Sequence, residues 1–179
     1  IKAAKNAYLV LTDADCKPKS NKRLFEITAD FSENKDIILG YGPYRAKKGL
    51  LNKLIRFETL FIAWQYFGFA KVGIPYMGVG RNLAYKKSLF FANKGFASHA
   101  QVLSGDDDLF VNEVAGKKNT AFNYTIDSQT VSEPEANWTD WGKQKKRHLT
   151  TGKYYKWYQK FLLTLEPFIR IMFYIFHFF

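Results

Sequence analysis

Tyr8-Leu9-Val10-Leu11-Thr12-Asp13-Ala14-Asp15 is the stretch on which the fold turns. Tyr8 to Leu11 is a short apolar run, partly β-branched, the pattern of a strand buried on both faces. It stops abruptly at two carboxylates with one small residue between them. Open α/β sheets bind ligands beyond the carboxyl ends of their strands, so an Asp-x-Asp pair there stands at a ligand-binding position. Two hard oxygen donors suit Mg2+ or Mn2+ bridging phosphate oxygens. The alternative is a polar turn, since Asp is common in turns and Lys17-Pro18 follows.

Working outward, residues 21–31 read as a helix with Leu24, Ile27 and Phe31 near one face. Residues 36–42 read as a second strand, ended or bent by Gly42-Pro43. Strand, helix, strand in that order implies a crossover and a mostly parallel sheet. Residues 50–69 form the most apolar long stretch inside the chain, and their hydrophobic residues do not keep to one stripe. A helix of that kind is buried or touches lipid. Arg56, Glu58 and Gln65 interrupt it, which makes it a poor membrane span.

Three further stretches carry chemistry-bearing residues. Gly73 to Asn82 is glycine-rich and leads into the strand-like Leu83-Ala84-Tyr85. Glycines let backbone amides approach a ligand, and Arg81 and Asn82 add donors for phosphate or sugar hydroxyls. A plain multi-turn connection is the alternative. Ser104-Gly105-Asp106-Asp107-Asp108 precedes a short helix over residues 109–114. Acids in a first helical turn suit the helix dipole, and crowding them raises one pKa toward that of a general base. Residues 122–131 alternate imperfectly and read as a strand. Residues 138–150 then read as a basic helix with Gln144, Arg147 and His148 on one face; a solvated charge run is the alternative.

Composition bounds the class. At 179 residues the chain is one domain by size, able to bury roughly two-thirds of its unfolded surface. Hydrophobic residues at 47% and aromatic residues at 18% exclude disorder. The formal net charge of +11 calls for a negative partner: nucleic acid, a nucleotide diphosphate or anionic lipid. Cys16 is the only cysteine, so there is neither an intrachain disulfide nor a multi-thiolate zinc site, and the three histidines show no metal-ligand spacing. Beyond Lys153 aromatic and basic residues alternate, and the chain then turns strongly apolar. Its last uninterrupted run, from Ile171, is too short to cross a bilayer; it reads as an interfacial helix or the start of a span.

Thr12-Asp13-Ala14-Asp15-Cys16, Gly78-Val79-Gly80-Arg81-Asn82-Leu83-Ala84-Tyr85, Ser104-Gly105-Asp106-Asp107-Asp108-Leu109 and Gln144-Lys145-Lys146-Arg147-His148 stand in one order along the chain. Together they resemble the family-2 glycosyltransferases, inverting enzymes of GT-A fold that use nucleotide-sugar donors. The resemblance implies an α/β, Rossmann-like, mostly parallel mixed sheet with flanking helices, incomplete at its N-terminus. The strand and helix that bind the nucleotide base would precede residue 1. Residues 1–152 would then be the C-terminal two-thirds of a catalytic domain and residues 153–179 a membrane-proximal helix or the start of a transmembrane segment. These 179 residues alone would be inactive.

The resemblance also implies roles. Asp13 and Asp15 would be the metal ligands, Asp15 the more direct, with Mg2+ or Mn2+ as the cofactor. Asp107 would be the general base, with Asp106 in place of the family's Glu. Asp13, Gly80, Arg81, Asn82 and Arg147 would bind the donor diphosphate. Gln144, His148 and Trp141 would bind or gate the acceptor, a glycan or lipid-linked hydroxyl, in polysaccharide or glycolipid synthesis. His148 stands where the family has Trp, which weighs against a processive, polymer-making role. The expected setting is a membrane surface, with the catalytic domain on its cytoplasmic side.

Two other classes compete. The charge and the aromatic–basic alternation after Lys153 suggest nucleic-acid binding, or a non-enzymatic module on a membrane surface. Nucleic-acid binding leaves Asp13, Asp15 and Asp106 to Asp108 without a role, because acids repel phosphates. Among enzymes the alternative is a metal-dependent nucleotidyltransferase, which also needs carboxylates at strand ends.

Overall fold

The computed structural model describes residues 1–102 and 104–178. Four strands form the main sheet: β1 (Tyr8–Leu11), β3 (Ile37–Gly40), β4 (Leu83–Lys86) and β5 (Thr120–Asn123), in the order β1-β4-β3-β5. A small second sheet pairs β2 (Lys17–Pro18) with β6 (Thr130–Val131). The helices are α1 (Arg23–Thr28), α2 (Leu50–Lys71), α3 (Lys87–Ala92), α4 (Asp106–Val114), α5 (Trp138–Leu149) and α6 (Trp157–Phe178).

The sheet is mixed, and the mostly parallel sheet expected from the strand–helix–strand order holds for strand direction but not for pairing, since two of its three pairings are antiparallel. β4 lies between β1 and β3 and runs antiparallel to both, while β3 and β5 are parallel. Three strands therefore point one way and β4 the other. The consequence for function is direct. The reversed β4 begins at the end of the sheet where β1 and β3 finish, so residues just before β4 meet residues just after β1.

Burial alternates with strand period. Ile37, Leu39, Leu83 and Tyr85 face a large core completed by Ala63 and Tyr66 of α2 and by Phe110 and Val111 of α4. Ile38 and Ala84 face the other side, against Ile27 of α1. Helices thus cover both faces, as a largely co-directional sheet requires.

The strand buried on both faces is β3, not β1. All four β3 residues are buried, whereas Tyr8 is exposed and Leu9 to Leu11 only half-buried. The reason is position: β1 pairs with β4 along one edge, and no strand among the described residues covers the other. In α1 the buried side chains are Arg23 and Ile27, and Leu24 is exposed, so the expected apolar stripe is displaced by a charged residue with structural work to do. The strand expected over residues 122–131 is divided into β5, a single 3-10 turn (Ile126–Ser128) and β6. The segment after Lys153 is not detached from the body. Gln159 is fully buried and accepts from Asn112 of α4 at 2.8 Å, which fastens the start of α6 to the core.

Candidate functional site

One cleft of about 1220 Å3 opens at the carboxyl end of β1. Its lining includes Asp13, Asp15, Gly80, Arg81, all three acids Asp106 to Asp108, and Gln144, Arg147 and His148 of α5. Four stretches far apart in sequence therefore share one concavity.

The acids arrive from two directions. After β1 the chain turns tightly, with the Cys16 amide donating to the Asp13 carbonyl at 3.1 Å. The buried Arg23 guanidinium holds that turn from behind: it donates to the Leu11 carbonyl at 2.9 Å and to Asn82 Oδ1 at 3.1 Å. Gly105 begins α4 with φ of 84°, a left-handed conformation that glycine adopts freely, and Asp106, Asp107 and Asp108 fill the first turn. The N-cap position is Gly105, which has no side chain to cap with, and the three acids of the first turn face the positive end of the helix dipole.

The two directions meet at Gly80. A Cβ at this position would collide with the Asp107 carboxylate and would lie 3.4 Å from Asp13 Oδ1. Only a residue without a side chain lets the two acids close over the single 3-10 turn Gly80–Asn82. Of the glycines in the 73–82 loop, this one is tied directly to the carboxylates.

Burial dominates the electrostatics. It pushes Asp107 up to about 6, with the charges of Asp13 and then Asp106 adding to the rise. Crowding was the expected cause; it comes second to burial, and Asp13, from the turn after β1, is the main crowding charge. Asp13 is also raised, by burial first, with the pull of Arg81 opposing the rise and the charge of Asp15 adding to it. Arg81 lies over the Tyr44 ring, 4.4 Å from its centroid, and its Nη1 is buried with no partner among the described residues. That is an unused, oriented donor at the wall of the cleft.

Asp13, Asp15 and Cys16 offer ligand atoms within 4.8 Å of one another. Asp13 and Asp15 are solvent-accessible carboxylates, which fits a hard cation that keeps part of its water shell. Cys16 Sγ is 2.8 Å from Ser132 Oγ and so already has a partner within the fold. The donor set therefore fits Mg2+ or Mn2+ on the two aspartates.

The structure relocates two of the expected residues. Asn82 is not a ligand-facing donor. It is fully buried, its Nδ2 donates to the Tyr41 and Ser128 carbonyls at 3.0 and 2.9 Å, and its Oδ1 accepts from Arg23. Every polar atom of its side chain is committed within the fold. Trp141 does not line the cleft either; it packs edge-on against Trp138 at 5.6 Å. Gln144, on the same helix, does line it, with its Nε2 3.3 Å from Glu135 Oε1. His148 lies on the rim, where burial and the charges of Lys145, Arg147 and Arg81 depress its proton affinity.

Some of the site was invisible in the residue pattern. Tyr155 donates to Asp108 Oδ2 at 2.6 Å across 47 positions of sequence. Burial pushes Asp108 up to about 7, partly opposed by the hydroxyls of Tyr155 and Thr151. The Thr151 hydroxyl also donates to the His148 carbonyl at 2.9 Å, and Asp108 Oδ1 is buried with no hydrogen-bond partner among the described residues. Lys145 of α5 is ion-paired with Glu58 of α2 at 2.8 Å, closing one side of the cleft. The one hint of Tyr155 was its place in the aromatic–basic alternation, and Glu58 stood out only as a charge interrupting an apolar helix. A scan against protein-family models and a search of curated proteins both return no match for this chain.

Proposed function

We propose that this protein is an inverting glycosyltransferase that moves a sugar from a nucleoside-diphosphate donor to an acceptor hydroxyl on a glycan or lipid carrier. The observation that carries the reading is the closure of Asp13 and Asp107 over Gly80 inside a cleft that also holds Arg81 and Arg147. Sugar transfer from a diphosphate requires that combination: anchors for a cationic counter-charge, donors for the leaving group and a carboxylate placed to take one proton.

Asp13 and Asp15 would hold Mg2+ or Mn2+, which supplies positive charge against the diphosphate when bound. Arg81 Nη1 and the Arg147 guanidinium donate hydrogen bonds to the departing phosphate oxygens. Asp107 accepts the acceptor hydroxyl proton as that oxygen bonds to the anomeric carbon. The bond from anomeric carbon to phosphate oxygen breaks with its electron pair leaving on the diphosphate, and displacement from the opposite face inverts the centre. A carboxylate raised to about 6 is mostly ionised at neutral pH yet more basic than an exposed one, as general-base work asks. Gln144 and His148 border the acceptor side. His148, depressed by burial and then by its cationic neighbours, is neutral there and donates or accepts without adding charge.

The test is turnover of nucleotide sugars by the intact enzyme with Mg2+ or Mn2+, with products resolved chromatographically. Asp107→Asn is expected to leave donor binding near wild type while turnover falls by about two orders of magnitude or more. Asp15→Ala is expected to abolish metal-dependent turnover. Release of free nucleoside diphosphate supports sugar transfer. A product that retains the nucleotide, with pyrophosphate released, would make the protein a nucleotidyltransferase instead.

A further inference from the structure

Two helices carry an outward face that no described residue covers. On α2 the buried positions Asn52, Ile55, Thr59, Ala63 and Tyr66 mark the side against the sheet. The opposite side presents Phe57 at 63% exposure, Leu60, and Trp64 at 68%. Lys53 and Arg56 are exposed among them. Glu58, the single acid of α2, is turned to the cleft and ion-paired with Lys145. The outward face of α2 is therefore aromatic and basic, with no carboxylate.

The α6 helix carries exposed apolar side chains of its own. Phe161, Phe168, Ile169, Ile171 and Phe176 are all more than half exposed. Glu166, its single acid, pairs with Arg170 at 3.4 Å, and the Arg170 guanidinium sits 5.0 Å from the centre of the Phe61 ring. That contact sets α6 beside α2. At the start of α6, Trp157 is 78% exposed between Lys156 and Lys160. No helix among the described residues is long and apolar enough to cross a membrane.

We infer that α2 and α6 together seat the protein on an anionic lipid surface, with the cleft mouth beside it. Helices with an apolar aromatic side and basic flanks lie in the headgroup region, and basic residues there gain from anionic lipid. Charge selects this occupant over a second copy of the chain. Pairing two such faces would bring Lys53, Arg56 and Lys156 against their own images in a chain of formal charge +11, whereas anionic lipid neutralises them. The placement of the cleft follows from its walls: Ile62 and Gln65 of α2 and Lys160, Thr164 and Pro167 of α6 line it. This contact does not depend on which reaction the cleft performs.

The test is flotation of the full chain with vesicles of phosphatidylcholine alone or mixed with phosphatidylglycerol. Binding to the mixed vesicles and little to the neutral ones is expected. The double variants Phe57→Ser/Trp64→Ser and Lys53→Glu/Arg56→Glu should each weaken that binding roughly tenfold or more, although α6 is untouched. All four side chains are exposed, so melting temperatures should match wild type and exclude misfolding as the cause. Unchanged binding in both variants would overturn the role of α2 and leave the contact to α6 alone. Failure of the wild type to float would overturn the inference, as would a wild-type dimer in solution that Trp64→Ser disperses, because a second copy would then cover the face.

Discussion

Asp108 is the residue whose environment makes the sharpest demand on conditions. Its carboxyl is raised to about 7, first by burial and then by the charge of Asp107, while the hydroxyls of Tyr155 and Thr151 and the charge of His99 pull it down. An unfolded chain gives up this proton near pH 4. Between those values the folded state holds a proton that the unfolded state has lost, so stability falls as pH rises through the window and levels off above it. Asp108→Asn removes the titration and keeps an oxygen that can accept from Tyr155. Its melting temperature relative to wild type should therefore climb between about pH 4 and pH 7 and then stay level. A difference that is flat across that range would place the proton elsewhere. The acid itself was plain in the sequence as one of three in a row. Its partner was not, because a bond across 47 positions leaves no trace in local spacing.

At the scale of elements, much of the arrangement followed from local pattern. The apolar run ending in Asp13 and Asp15, the acid first turn of α4 and the shared face of Gln144, Arg147 and His148 are all where their spacing put them. What local pattern did not carry was pairing. Whether a four-residue strand such as Leu83–Lys86 runs parallel or antiparallel depends on where its neighbours come from, and both of its neighbours are distant in sequence. Arg23 shows the same gap from the other side. A charged residue in a short helix reads as solvated, yet here it braces β1 through the Leu11 carbonyl and reaches β4 through Asn82. Asn82→Ala removes the acceptor for that buried guanidinium and unpairs the Tyr41 and Ser128 carbonyls. The expected cost is on the order of 3 kcal/mol. In a chain of this size that is roughly a 10 °C fall in melting temperature, read by calorimetry. A variant as stable as wild type would mean that the Asn82 side chain does not join these strands.

For the whole molecule, the site sits where a reversed strand brings two ends together, and the aromatic face lies on the two helices that wall the same cleft. The position of the acids was legible early because strand ends in such sheets are recurrent binding positions. The outward face was less so, since a helix apolar nearly all round gives no direction until its packing is known. One last feature can be followed from space into time. β3 is hydrogen-bonded to a strand on each side and fully buried, while among the described residues β4 is the one strand paired with β1. Amide hydrogens report how often each strand lets go of its neighbours. Those of β3 should exchange with deuterated solvent only when the whole molecule opens, and those along the free side of β1 within the fastest class. The sheet would then behave as a slow interior clock with a fast outer hand, its quick edge next to the turn that carries Asp13 and Asp15.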